Sequence, residues 1–217
     1  MSTDINISTG YEENSVLKFK AYANINEATK EKLDTSNDQP VVIAPGRFNP
    51  PTRGHQLMIR ELIALGQKLN AKPVVIVVDS GKYDERNPLT GEVRKEYILK
   101  MFPGVTIHVA KNPYEAVFDL HDKHGEVPVG GVTGADRAKN YKNMIGRIFG
   151  PKEEEQYEAV ILNRDPDAVD DVAGVSGTKA REAAVANDEG AFRAMTGLGH
   201  EDAMQLMSQI RKGMGIS

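Results

Sequence analysis

The 217-residue chain carries 27 Lys and Arg against 31 Asp and Glu, for a formal net charge of −4, with 40% hydrophobic and 27% charged residues and neither cysteine nor tryptophan. That composition suits a single globular core, excludes disulfides, thiolate metal sites and a cysteine nucleophile, and leaves any polyanionic ligand to be held by local basic groups. No nucleic-acid partner is expected from so acidic a balance, and no membrane partner either: the opening residues lack a basic start and an apolar stretch, and no apolar run could span a bilayer, so the cytoplasm is the default location.

In chain order, residues 1–39 are rich in Ser, Thr, Asn, Asp and Glu and read as a polar, flexible N-terminal arm ahead of a domain over 40–217. "VVIA" (Val41 to Ala44) predicts a buried strand, and "RGHQLMIRELIALGQKL" a helix with Met58, Leu62, Leu65 and Leu69 at helical spacing. "PVVIVV" predicts a second strand, and "TGEVRKEYILKMF" a helix capped by Thr90 with Val93, Tyr97 and Met101 on one face. The alternation continues with strand "VTIHVA", helix "PYEAVFDLHDKH", strand "VPVGGV", helix "DRAKNYKNMIGRIF", strand "YEAVILN" and helix "GTKAREAAVAN". Two further helices, "EGAFRAMTG" and "HEDAMQLMSQIRKGM", are expected on the edge of the sheet, and "PKEEEQ" reads as a solvated turn. Short β-branched runs between amphipathic helices specify an α/β fold: a doubly wound, Rossmann-like parallel five-stranded sheet with helices on both faces and extra C-terminal helices.

Ligands of such a sheet bind beyond the carboxyl ends of its strands, where the strand order reverses. The segments leaving those ends hold most of the unusual residues. After the first strand, "PGRFNPPTRGH" supplies Gly46 for a turn, Pro50 and Pro51 for a stiff extended loop, Thr52 at a helix cap, Gly54 for close approach, and His55 in the first helical turn beside unpaired amides. "VSGTKAR" repeats the logic with Ser176, Gly177, Thr178, Lys179 and Arg181 at another helix start. Thr90 and Arg94 in "NPLTGEVR", and Asp136 and Arg137 in "GADR", add polar groups at two more.

These residues carry a resemblance. "GRFNPPTRGH" resembles the first signature of the nucleotidyltransferase superfamily marked by H/T-x-G-H, here Thr52, Arg53, Gly54 and His55, and "VSGTKAR" resembles its second, S-G-T-x-x-R. "NPLTGEVRKEYI" is similar to the N-P-F-T-x-x-E-R segment of the archaeal-type nicotinamide mononucleotide adenylyltransferases. The similarity spans residues 40–214 and implies a cytidylyltransferase-like fold. It also implies transfer of a nucleoside monophosphate from ATP to a phosphorylated acceptor, with pyrophosphate released. On that pattern Thr52, His55 and Arg181 are catalytic, Arg47, Ser176 and Thr178 hold phosphates, and Gly46, Phe48, Asn49, Gly54, Arg94, Asp136 and Gly177 complete the nucleotide-binding set. Asp136 is expected to contact a ribose or orient a cation. Mg²⁺ is expected on the nucleotide phosphates, with no protein metal ligand.

The expected acceptor is nicotinamide mononucleotide, giving NAD. The family commonly sets a tryptophan against the nicotinamide ring; this chain has none, leaving Tyr114, Phe118 or Tyr141 as stacking candidates. Two alternatives stay open: the same chemistry with another acceptor or CTP, and a non-catalytic nucleotide-binding module that docks through its arm. A homo-oligomer is compatible with either. His121 and His124 share a helix face without a third ligand nearby and are read as a solvated helix end rather than a metal site.

Overall fold

The computed structural model describes residues 38–162 and 175–216, so all of the arm expected over residues 1–39 except Asp38 and Gln39 lies outside the described residues. Five parallel strands, β1 (Gln39–Gly46), β2 (Lys72–Val78), β3 (Thr106–Ala110), β4 (Glu126–Gly134) and β5 (Glu158–Leu162), form one sheet in the order β3-β2-β1-β4-β5. The chain winds outward from β1 through β2 to β3 and then crosses to β4 on the other side of β1. The switch point is therefore at the carboxyl ends of β1 and β4.

Alternation along β1 sets the two faces. Val41 and Ile43 join Val74 and Ile76 in a core closed by helices α3 (Pro113–His124) and α4 (Ala135–Ile148). Val42 and Ala44 join Val75 and Val77 on the opposite face, where α1 (Arg53–Leu69) contributes Met58, Ile59, Leu62 and Leu65, and α2 (Gly91–Met101) contributes Ile98. Local signals fix the helix ends: the Thr90 hydroxyl accepts from the Val93 amide, Asn112 caps α3 through the Glu115 amide, and Gly125 closes α3 at φ +60°.

Three expectations need correction. "PKEEEQ" is not a turn but a short helix, α5 (Pro151–Gln156). Pro151 sits at its first position and Glu153 and Glu154 in its first turn, both favourable to a helix start. His121 is not solvated: its Nε2 lies 3.1 Å from Asp38 Oδ2 and its ring packs edge-on against Phe149, pinning the approach to β1. The C-terminal helices, α6 (Gly177–Val185), α7 (Glu189–Thr196) and α8 (His200–Gly213), bury Ala180, Phe192, Leu206 and Ile210 with Leu89 and Tyr97, not with strand side chains. They form a third layer over the outer face of α2.

That layer is what holds α6 against the strand ends. Phe192, with no exposed surface, lies at its centre. Phe192→Ala is expected to lower the unfolding free energy by roughly 3–5 kcal/mol, read from urea denaturation; a loss of under about 1 kcal/mol would show that the cavity left in such a layer costs much less than in a packed core.

Candidate functional site

β1 ends at Gly46, where a Cβ would stand 2.8 Å from the Phe48 ring. The missing side chain lets Phe48, at φ +50°, fold back under the loop, fully buried, with its ring centroid 4.8 Å from that of His55. The next side chain, Asn49, is also buried; its Nδ2 donates to the Leu89 carbonyl (3.2 Å) and its Oδ1 accepts from the Leu89 amide (3.3 Å). Asn49 was expected among the nucleotide contacts, but its side chain is committed to joining the loop after β1 to the loop before α2.

Thr52 is fully buried at the N-cap of α1, with Gly54 buried in the first turn. His55 Nδ1 accepts from the Thr52 amide at 3.1 Å and lies 2.9 Å from Thr52 Oγ1. An amide can only donate, so Nδ1 is unprotonated and the ring carries its proton on Nε2, on the edge away from Thr52. The cap thus fixes a tautomer as well as a helix start.

Arg94 was expected to touch the nucleotide. It does not border the cleft: only 2% exposed, it lies beneath the loops, where Nη1 donates to the carbonyls of Arg47 (2.6 Å) and Val78 (2.9 Å), Nε to Thr90 (3.1 Å), and Nη2 pairs with Asp79 at 3.1 Å. Asp79 in turn accepts from the amides of Gly81 and Gly91 and from the Tyr83 hydroxyl. Burial raises the Asp79 carboxyl, but those two amides, Arg94 and Tyr83 together hold it below its ordinary value. Burial likewise pulls the Arg94 guanidinium down, against the opposing pull of Asp79.

The start of α6 faces this loop. Ser176 caps it by accepting from the Lys179 amide at 3.2 Å. Gly177 meets the Asn49 carbonyl so closely that a Cβ would stand 3.1 Å from that oxygen. Arg181 bridges the two segments, Nη1 donating to Asn49 O at 2.6 Å and Nη2 to Thr178 Oγ1 at 3.1 Å. Burial, then the like charge of Arg47, lowers the Arg181 guanidinium, and Arg86 adds to the effect. Positive groups therefore converge here.

Together the ends of β1 and β4 and the start of α6 enclose a cleft of about 490 Å³. Gly46, Arg47, Phe48, Asn49, His55, Asp136, Ser176, Gly177, Thr178 and Arg181 line it, as do Thr133, Gly134 and Arg137 at the end of β4. Asp136, with a 78% exposed side chain, lies 3.5 Å from Arg137 at the rim. Lys179 is exposed and outside the lining. Arg86 and Asn87, from the loop after β2, also border the cleft and were missed as site residues; the signals were their position in a strand-end loop and, for Asn87, its place at the head of the "NPLTGEVR" segment. None of the proposed stacking rings reaches it: Tyr114 and Tyr141 belong to the core of α3 and α4, and Phe118 is buried on α3. Among the described residues no group of three carboxylate or imidazole side chains converges on a metal position, and no helix is long and apolar enough to cross a membrane.

No protein-family model matches the chain, and no curated protein matches it. Among solved structures it is similar to a Vibrio parahaemolyticus protein provisionally named a nicotinate-nucleotide adenylyltransferase, at 15% identity and a TM-score of 0.49, covering 78% of this chain and 99% of that one. It is also similar to a Plasmodium falciparum nicotinic acid mononucleotide adenylyltransferase complexed with NaAD, at 10% identity and a TM-score of 0.49, covering 81% and 97%. At these values the activity has to be argued from the site's own chemistry.

Removing the buried guanidinium tests the loop architecture. Arg94→Met removes the side-chain donors from the Arg47, Val78 and Thr90 carbonyls and the cation from Asp79, and is expected to cost roughly 3–5 kcal/mol. Because the Asp79 carboxyl is held below its ordinary value of about 3.9, the stability it contributes is complete above that pH and lost as pH falls through the lower folded value. Asp79→Asn is therefore expected to be less stable than the parent at pH 7 and to approach it in acid; a gap that stays constant to pH 2 would contradict this.

Proposed function

We propose that the protein transfers the adenylyl group of ATP to a phosphorylated acceptor, nicotinamide mononucleotide, forming NAD and pyrophosphate. The observation that supports this most is the bridge from Arg181 to the Asn49 carbonyl, 132 positions away, which ties the first helical turns of α6 to the loop that leads into α1, on one cleft that also holds His55. Each helix start offers unpaired amides and a positive dipole end to phosphate oxygens. Arg47 and Arg181 add full charges.

An oxygen of the acceptor phosphate forms a bond to the α-phosphorus of ATP while the bond from that phosphorus to the α,β-bridging oxygen breaks. The electron pair leaves on pyrophosphate. Because the attacking phosphate oxygen is already anionic, no general base is needed; the one carboxylate that borders the cleft among the described residues, Asp136, is exposed at the rim. The Nε2–H of His55 donates to a non-bridging α-oxygen as charge builds there, while Thr178, Ser176, Arg47 and Arg181 hold the β and γ phosphates. Thr52 keeps the imidazole in the donating tautomer. Magnesium would arrive with the nucleotide and would neutralise charge on its phosphates. The acceptor rests on the likeness of the "NPLTGEVR" segment.

His55→Ala is expected to keep the fold and lose turnover by roughly a hundred- to a thousandfold, the range for one transition-state donor. The assay is NAD and pyrophosphate formation from MgATP and nicotinamide mononucleotide, run beside other phosphorylated acceptors and CTP. Pyrophosphate with a different acceptor would replace the substrate and keep the chemistry. No pyrophosphate with any pair would contradict the reading and favour a nucleotide-binding module.

A further inference from the structure

Of the four arginines on the cleft, Arg47 and Arg181 belong to the segments that resemble nucleotidyltransferase signatures, whereas Arg86 and Arg137 belong to neither. Arg86 stands on a turn built by Asp84, whose Oδ1 accepts from the Arg86 amide (2.8 Å) and from the Asn87 amide (2.8 Å) and side chain (3.2 Å). The turn uses only the backbone of Arg86. Its guanidinium has no hydrogen bond or ion pair among the described residues.

Arg86 borders the main cleft, and also an adjoining cavity of about 400 Å³ that it shares with Thr178 and Arg181. It therefore stands where the cleft passes over the start of α6. Arg47 and Arg86 both act on Arg181 as like charges. Three guanidinium groups at a helix N-terminus repel one another and the dipole; the carboxylates of Glu182 and Asp84 offset part of this at Arg181, and a bound anion would offset more. Arg181 is held by Asn49 and Thr178, whereas Arg86, on an exposed turn, has none of its side-chain donors engaged by the described residues.

We propose that Arg86 is a further catalytic residue, donating to the pyrophosphate that leaves as the α,β-bridging bond breaks. This rests on the adenylyl-transfer reading. The electron pair released from that bond raises the negative charge on the β-phosphate side, where Arg86 meets it together with Arg181 and the amide end of α6. A contact that strengthens as the charge develops raises kcat more than it lowers substrate KM.

The test is Arg86→Ala and Arg86→Lys in the full chain, assayed for turnover and by calorimetric titration with magnesium pyrophosphate. Arg86→Ala is expected to lower kcat by roughly a hundredfold, to change the acceptor KM by less than about threefold as expected for a contact made mainly in the transition state, and to weaken pyrophosphate binding at least tenfold. Arg86→Lys, a point charge without the planar fork, is expected to recover only part of each loss. Unchanged kcat and pyrophosphate affinity in a folded Arg86→Ala protein, with His55→Ala inactive, would overturn the proposal, as would a rise in acceptor KM alone. If the parent shows no turnover the functional reading fails, and the titration still decides Arg86: pyrophosphate binding that ignores its removal overturns the assignment.

Discussion

Among the described residues Arg94 is the largest side chain that is fully buried, and it carries a charge. Burying a guanidinium is costly unless its donors and its charge are matched. Here one group meets the exit of β1 through Arg47, the end of β2 through Val78, the start of α2 through Thr90, and the Asp79 carboxylate. The loops that form one side of the cleft are therefore fixed from beneath by a single planar fork. The cleft face stays open for a ligand because the structural bonds are made on the other side. Asn49 does the same on a smaller scale, its side chain tying the loop to Leu89 while its carbonyl receives Arg181.

The electrostatics follow from this division. A chain with a net charge of −4 gathers Arg47, Arg86, Arg137 and Arg181 around one cleft that, among the described residues, is bordered by one carboxylate, Asp136. Two helix starts add positive dipole ends there. Selectivity for an anion is thus local, and the acidic remainder of the surface gives no general attraction for polyanions.

Local signals were legible in the sequence. The predicted spans of α1 and α3 coincide with the observed helices because each has a cap, a matching apolar period and a clear stop. The glycine, aromatic and histidine of the first strand-end loop were legible as a unit too, although the reason, Phe48 folded against both Gly46 and His55, is a three-dimensional one. What escaped was set by distant partners. Arg94 reads as a nucleotide contact until its bond to Arg47, 47 positions away, is seen. His121 looks like a helix-end histidine until Asp38 appears beside it. Arg86 had no motif of its own, and the C-terminal helices found their apolar partner in α2, a choice that periodicity does not encode. The short helix at Pro151 did have readable signals, and its run of glutamates masked them.

The central claim is that one cleft, assembled from the starts of α1 and α6, holds a nucleoside triphosphate with its α-phosphate at His55. A crystal structure of the protein with magnesium and a non-hydrolysable ATP analogue tests it directly. The account predicts the α-phosphoryl oxygens at hydrogen-bond distance from His55 Nε2, the β and γ phosphates against the first amides of α6 and Arg181, and Arg94 still bonded to the Arg47 carbonyl. A triphosphate bound away from both helix starts, or a His55 ring turned so that Nδ1 leaves the Thr52 amide, would contradict it.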